Sequence, residues 1–471
     1  MSNSVKKGVI VVFLANIINM ALGVITSFIL PKYLSIESYG YYKVFTLYVS
    51  YLGVIHLGFI DGIYLKYGGW ELSKVNLKEL HSESVTIRNV QLFLTVVALL
   101  GGIWWNNPIA IILSLSFVPV NMVSFYKNIF QATGHFKSYG VILSALPIIV
   151  FIINMFLLLV IKTDNYIYYI LTVFFSNLLL YVFLEYRSAK LFGRIKSVTF
   201  SRPLFIANVK TGFSLMVGNF ASLMITSIDR WCIQIWMTIS SFAFYSFAVS
   251  VENLFNVCVS AVTITLYNYL CKERTVSQII RLKSVCVIIG IYLIAIAFPV
   301  KVAINLWLQK YTASISCLFL LICAHLYYFV IKSIYVNLYK ARGHQRHYFL
   351  QMLLVLGVVG VSDVFAYFFI SKTIEAFAGA SLFSALVWFF MCYVEFKDIR
   401  GEWNEILLML VCSIVYISCG LLIGNAIVGC FCYLILATLL VLCLGRRQLI
   451  DTIDICIGQF SLCRFMKKKN D

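Results

Sequence analysis

Fourteen stretches of this chain run nearly free of charge for about twenty residues each, at roughly 8–30, 41–65, 89–105, 109–131, 140–161, 166–186, 211–237, 242–270, 283–305, 315–339, 349–370, 374–395, 405–423 and 427–444. A helix needs about 20 residues to cross the hydrocarbon core of a bilayer, so each stretch fits one crossing. A membrane β-barrel would show shorter segments in which apolar and polar positions alternate. These segments are continuously apolar, and a helix satisfies its own backbone where water is absent. The pattern predicts an all-α polytopic membrane protein of about fourteen transmembrane helices, or twelve if the last pair does not span.

The polar punctuation between spans carries a repeat. Near the end of the fourth span the chain reads NIFQATGHFKSY, Asn128 to Tyr139, and near the end of the tenth it reads NLYKARGHQRHY, Asn337 to Tyr348. Asn, Ala, Gly, His and Tyr recur at the same spacing, six spans apart. A weaker echo pairs Tyr39, Gly40, Tyr41 and Tyr42 with Phe242, Ala243, Phe244 and Tyr245, and Ala15 and Asn16 with Gly218 and Asn219. The chain therefore reads as a duplicated six-helix unit. Six crossings return to the starting side, so the repeat is parallel, with its pseudo-two-fold axis along the membrane normal. The predicted organisation is a lobe at 1–205 that includes the inter-lobe loop, a lobe at 206–400, two extra helices at 401–446 and a basic tail at 447–471.

Composition agrees with this solvent: 62% of residues are hydrophobic and 12% charged, against roughly 45–50% and 25% in soluble domains. The net charge of +18 follows from topology. With Lys6 and Lys7 on the cytoplasmic side, the clusters Lys66, Lys74, Lys78 and Arg88, then Arg187, Lys190, Arg194, Lys196, Arg202 and Lys210, then Lys272, Arg274, Arg281 and Lys283, then Lys340, Arg342 and Arg346 all fall on that side. The positive-inside rule is obeyed, with both termini cytoplasmic. The basic balance points to anionic membrane lipids and needs no nucleic acid to explain it. The first span is too long for a signal peptide and lacks a small-residue cleavage site, so it reads as a retained anchor.

Several motifs exclude chemistry. The 14 cysteines include no CxxC pair, which suits small buried hydrophobes in a reduced compartment. His344 and His347 have no carboxylate or thiol beside them in sequence, so no metal site is predicted. Gly420 and Gly424 form a GxxxG packing face. No phosphate loop is present, so no ATP-driven step and no cofactor are predicted. From Leu449 onward Ile453, Cys456, Ile457, Phe460 and Cys463 recur at helical spacing ahead of Lys467, Lys468 and Lys469, as in an interfacial amphipathic helix.

Candidate chemistry lies in the charges inside spans, because each costs about 2.5–3.5 kcal/mol to insert. By helical rise Glu252 falls near mid-membrane, Asp229, Arg230 and Asp363 in the outer half, and Lys332 nearer the cytoplasm. Asn256 lies one turn below Glu252 and Tyr245 two turns above it, giving the eighth span a polar stripe. His56 and His325 are also deep, whereas Asp61 sits near the cytoplasmic end of the second span, where it would reach water. These residues read either as interhelical pairs, Arg230 with Asp363 for example, or as the lining of a wet cavity. A guanidinium there suits phosphate, and an acid such as Glu252 or Asp229 suits a coupling proton or sodium ion.

The opening Lys6 to Asn19, the PKYLSIESYGYY turn after the first span, SIDRW in the seventh span and the repeated AxGH segments together resemble the Wzx-type polysaccharide repeat-unit flippases of the multidrug/oligosaccharidyl-lipid/polysaccharide exporter superfamily. The resemblance runs from Met1 to about Arg447. It implies a bacterial inner-membrane flippase, not an enzyme, with a MATE-like pair of lobes and alternating access around a cationic cavity. Its cargo would be undecaprenyl-pyrophosphate-linked oligosaccharide for O-antigen, lipopolysaccharide or capsule assembly. Its partners would be that lipid-linked oligosaccharide, glycan polymerase and chain-length machinery. Asp229 and Arg230 match the charged stretch of the seventh span; Glu252, Asn256, Lys332 and Asp363 join them on depth and helical face. The first lobe is poor in deep cations, so a pyrophosphate site would rest on Arg230 and Lys332. Two alternatives stay open: an ion-coupled multidrug exporter of the same superfamily, and a membrane glycan polymerase or O-acyltransferase, against which the short outer loops at Trp104 to Pro108 and Lys162 to Tyr166 weigh.

Overall fold

A computed structural model describes residues 3–192, 200–270, 275–401 and 403–452, and all its regular elements are helical. The chain forms two compact units, Met1–Met224 and Ile225–Asp471. The first holds α1 (Asn3–Tyr33), α2 (Ile36–Ser50), α3 (Phe59–Lys66), α4 (Leu77–Trp104), α5 (Pro108–Leu115), α6 (Phe117–Ala132), α7 (Phe136–Phe156) and α8 (Tyr166–Phe192), and closes with α9 (Arg202–Ile225). The second holds α10 (Ile228–Trp236), α11 (Ile239–Leu270), α12 (Val276–Leu293), α13 (Ala297–Trp307), α14 (Ile315–Val330), α15 (Val336–Ala341), α16 (Gln345–Phe365), α17 (Ile374–Glu395), α18 (Trp403–Leu422) and α19 (Ala426–Leu444).

Eleven helical stretches among the described residues are long and apolar enough to cross a bilayer, thirteen when α2 with α3 and α9 with α10 are each taken as one interrupted span. The remaining predicted span, 242–270, lies on α11. This is a multi-pass membrane protein. The helices start where side chains can cap them. Ser35 accepts from Ser38 N ahead of α2, Asn107 accepts from Ile109 N and Ala110 N with Pro108 opening α5, and Thr275 and Gln278 form a capping box before α12. Each supplies a partner for backbone N–H groups that a helix start leaves orphaned. Trp104, Trp105 and Trp403 are strongly exposed at span ends, where an indole is at home between hydrocarbon and headgroups. The inter-lobe segment 193–199 and the tail 453–471, including the amphipathic pattern from Ile453, lie outside the described residues.

The repeated GH segments have the same backbone. Gly134 and Gly343 take φ of +69° and +73°, the left-handed region open to glycine at little cost. His135 N donates to Phe130 O at 2.8 Å and Gly134 N to Gln131 O at 3.3 Å; His344 N donates to Tyr339 O at 2.9 Å and Gly343 N to Lys340 O at 3.3 Å. Both are Schellman endings that satisfy the last carbonyls of one helix, followed at once by the start of α7 or α16. The sequence repeat is thus a helix stop and restart, built twice by backbone hydrogen bonds; neither histidine side chain caps its helix.

Several cations that read as loop charges are paired within their units. Lys66 meets Glu79 at 2.6 Å and Glu83 at 2.5 Å, and the fully buried Glu83 also accepts from Tyr67 Oη at 2.8 Å and Asn208 Nδ2 at 3.0 Å. That acid ties α3, α4 and α9 together. Lys283, fully buried, meets Glu405 at 3.1 Å and donates to Ile399 O at 3.0 Å. Lys301, near the end of the ninth predicted span, is buried and donates to Gly420 O at 2.7 Å and Ile423 O at 2.9 Å. It closes the C-terminal end of α18, where carbonyls lack partners and a cation is favoured. Arg342 meets Asp398 at 2.5 Å, and this hydrogen bond holds the Asp398 carboxyl below the usual carboxylate range.

The second span breaks at Leu57 and Gly58, with φ of +53° and +84°, and α2 with its short 3₁₀ continuation is bent 56° from α3. Here α9 packs on α3 backbone to backbone. A Cβ on Gly212 would strike Gly58 O and Gly62 N, and one on Gly62 would strike Asn208 O. Only glycine permits this approach. In the second unit α14 is the central element, packed on α11, α12, α17 and α18. Gly212→Val is expected to destabilise the protein by about 1–3 kcal/mol through overpacking, read as a lower melting temperature in detergent. Gly218→Ala on the same helix, where a Cβ meets nothing within 4 Å, is expected to be neutral or stabilising.

Candidate functional site

The buried polar groups of the second unit form a ladder between α11 and the tenth span. Glu252 Oε1 lies 2.8 Å from His325 Nε2, with the two side chains 16% and 1% exposed. One turn along α11, Asn256 Oδ1 accepts from Lys332 Nζ at 3.0 Å. Further along α11, Thr263 Oγ1 and Ser333 Oγ are 3.3 Å apart, and Asn337 Nδ2 donates to Thr263 O at 2.9 Å and Ser333 O at 3.0 Å.

The backbone explains how a lysine reaches this position. Between α14 and α15 the tenth span makes a π-helical turn at Ile331–Tyr335, a local widening that inserts a residue and re-aims side chains. Lys332 is the second residue of that turn. Its ammonium also lies 5.5 Å from the centre of the Tyr328 ring, within cation–π range. Three donors on the ammonium and one hydrogen bond to Asn256 leave it capacity for an anion.

A second group sits at the start of α10. Asp229 is buried in the first turn, where the helix dipole favours an acid; its Oδ1 accepts from Arg230 N at 2.7 Å and its Oδ2 from Tyr245 Oη. Asp363 comes from α16, which packs on α10 with Gly360 against Ile228. It is fully buried, lies in electrostatic range of Asp229, and has no hydrogen-bond partner for either oxygen. The sequence left Arg230 with Asp363 as a possible pair, and among the described residues no such ion pair forms. Arg230 Nε is itself buried without a hydrogen-bond partner. Glu252, Asn256 and Lys332 are therefore assembled with His325, Asp229 with Tyr245, and Asp363 lies in electrostatic range of Asp229 with no hydrogen bond to either oxygen.

The first unit has its own acid beside a helix break. Asp61 occupies the first turn of α3 and accepts from Asn219 Nδ2 at 3.2 Å; His56 Nε2 lies 3.9 Å from its other oxygen. The side chain of Asp61 is 15% exposed and is also held by α9 through Asn219. Both interrupted spans thus restart with an acid, Asp61 in α3 and Asp229 in α10. No group of three or more His, Cys, Asp or Glu able to hold a metal occurs among the described residues.

This helical architecture and polar interior can be set beside known proteins. The profile of a family described as "Polysaccharide biosynthesis protein" matches residues 5–272, more than half of the chain. The chain belongs to the polysaccharide biosynthesis protein family. Its fold is that of transporters of the multidrug/oligosaccharidyl-lipid/polysaccharide (MOP) exporter superfamily. A solved structure of the lipid II flippase MurJ in an inward closed conformation aligns with a TM-score of 0.64 at 15% identity, covering 94% of this chain and 100% of that one. An inward-facing multidrug resistance MATE family transporter of the same superfamily aligns with a TM-score of 0.52 at 11% identity, covering 82% and 95%. Comparison with curated proteins finds no match.

For this polysaccharide biosynthesis family member, sequence depth located the charged residues but missed two partnerships. His325 and Lys332, seven residues apart, share one face of the tenth span, and Glu252 and Asn256, four apart, share one face of α11; setting these two polar faces against each other would have paired the spans. Tyr245 as the donor to Asp229 was signalled only by its place on the polar face of α11. Because His325 supplies the partner of a mostly buried carboxylate, His325→Leu is expected to lower stability by about 1–2 kcal/mol. Adding Glu252→Gln should recover most of that loss in a double-mutant cycle of unfolding in detergent.

Proposed function

We propose that the protein is a flippase that moves undecaprenyl-pyrophosphate-linked oligosaccharide repeat units from the cytoplasmic to the periplasmic leaflet of the bacterial inner membrane, for O-antigen or capsular polysaccharide assembly. The observation that carries the reading is Lys332, a cation deep in a span with only a neutral side chain as its hydrogen-bond partner, in a chain of the polysaccharide biosynthesis family. A structural lysine would be compensated as Lys283 is by Glu405. Lys332 instead has Asn256 as its hydrogen-bond partner with Glu252 in electrostatic range rather than in direct contact, and its remaining donors fit a phosphate oxygen. Arg230 adds a second cation in the same unit, consistent with a site assembled from Arg230, Lys332, Glu252, Asn256, Asp229 and Asp363. The fold shared with a lipid II flippase supports alternating access as the mechanism.

Asp363 is the group best suited to coupling. An ionised carboxylate buried without a hydrogen bond costs several kcal/mol, so a bound proton or sodium ion would relieve it, and Asp229 alongside would feel the change. The lipid-linked oligosaccharide is the principal partner, anionic lipids bathe the basic cytoplasmic face, and glycan polymerase and chain-length machinery act on the delivered units. The exporter reading draws support from Asp61, which gives the first unit a carboxylate beside a helix break. Deletion of the gene is expected to leave lipid-linked repeat units on the inner leaflet and remove surface glycan, and Lys332→Ala or Arg230→Ala should do the same with protein still in the membrane. Intact surface glycan together with new sensitivity to cationic dyes would replace the flippase reading with the exporter.

A further inference from the structure

The helices α16 and α17 form an antiparallel pair joined by the turn at residues 371–373, with Ser362 Oγ and Ser384 Oγ 2.8 Å apart between them. Along this pair runs an apolar groove of about 1210 Å³, beyond the roughly 300–1,000 Å³ of ordinary small-molecule pockets. Leu354, Val361 and Phe383 on its walls are more than half exposed, so the groove is open to whatever surrounds these spans.

Two glycines leave the space unfilled. Gly357 on α16 and Gly379 on α17 both line the groove, and a Cβ built on either would meet nothing within 4 Å. A glycine inside a helix costs about 1 kcal/mol relative to alanine. At Gly212 that cost has a packing reason, the close approach to Gly58 and Gly62. At Gly357 and Gly379 no neighbour approaches, and because both line the groove a larger side chain at either would project into it.

The dimensions select the occupant. The lining extends from Leu353 to Ser371 on one wall and from Thr373 to Val387 on the other, about 21–27 Å at 1.5 Å per residue. That is most of the ~30 Å hydrocarbon core. A phospholipid acyl chain belongs to one leaflet and fills about half of that depth, so a groove of this length is matched by a hydrocarbon that continues past the midplane. Ser371, Thr373 and Glu375 make one end polar, and the walls between are apolar.

We propose that the groove between α16 and α17, held open by Gly357 and Gly379, seats the polyisoprenyl chain of the lipid-linked cargo. This rests on the flippase reading and adds to it a place for the lipid part of the cargo, separate from the charged residues. The test uses the full-length protein in nanodiscs and a polyprenyl phosphate carrying a diazirine along its chain, with labelled peptides mapped by mass spectrometry. Label is expected on α16 and α17, displaced by unlabelled polyprenyl phosphate and not by an equal excess of phosphatidylglycerol. Gly379→Leu should cut it about tenfold with the melting temperature unchanged, and Gly357→Leu gives the same test from the other wall. Equal displacement by phosphatidylglycerol, or label undiminished in both leucine variants, overturns the assignment. Should that happen while the deletion strain still accumulates lipid-linked repeat units, the groove assignment alone falls; a deletion strain without such accumulation removes the flippase reading itself.

Discussion

Hydrocarbon offers a polar group nothing to bond with, and this structure is organised around that constraint. Within each unit the spans are pinned where one helix answers the polar side chain of another. Glu83 gathers Lys66, Tyr67 and Asn208 in the first unit. Lys283 with Glu405, and Lys301 with the end of α18, do the same in the second. The Glu252–His325 and Asn256–Lys332 contacts obey the same rule, yet they join residues of unequal chemistry: an acid to a histidine, and a cation to an amide. Among the charged residues, Asp363 and Arg230 keep buried polar atoms without a hydrogen-bond partner. Because buried charge is costly, groups left short of partners are the ones whose retention calls for a ligand.

Backbone devices place these groups. The break at Leu57 and Gly58 sets Asp61 at a helix start, the interruption ahead of Ile228 does so for Asp229, and the π-helical turn directs Lys332 toward α11. Glycine acts in two opposite ways. At Gly62 and Gly212 its missing side chain lets two backbones touch, while at Gly357 and Gly379 it leaves room unfilled. The same residue type therefore serves rigid packing in the first unit and an open apolar groove in the second.

Much of the fold was legible because hydropathy is a direct readout of the solvent. The spans emerge from length and apolarity alone, and the GH segments were recognisable because a Schellman ending demands glycine at one position. The interruptions were not legible: no proline marks the break at Leu57 and Gly58 or the one at Thr226 and Ser227, and the π turn at Ile331–Tyr335 has no compositional signature. Depth along a helix identified Asp229, Glu252, Lys332 and Asp363, but depth does not say which neighbour each one faces. Lys283 was not legible for a related reason. A cation near a span end looks like a topology signal, and only the packing of α18 shows that it is a buried partner of Glu405.

The central claim is that the polar interior of the second unit handles the charged end of a lipid-linked glycan. It is tested most directly by reconstituting the purified protein into liposomes that carry a polyprenyl-pyrophosphate oligosaccharide and following its transfer between leaflets with a glycan-binding probe added outside. Transfer by the native chain, lost in Lys332→Ala and retained in Lys301→Met where folding is intact, is the predicted result. Transfer that persists unchanged in Lys332→Ala, or its absence from the native chain while a cationic dye is exchanged, would contradict the claim.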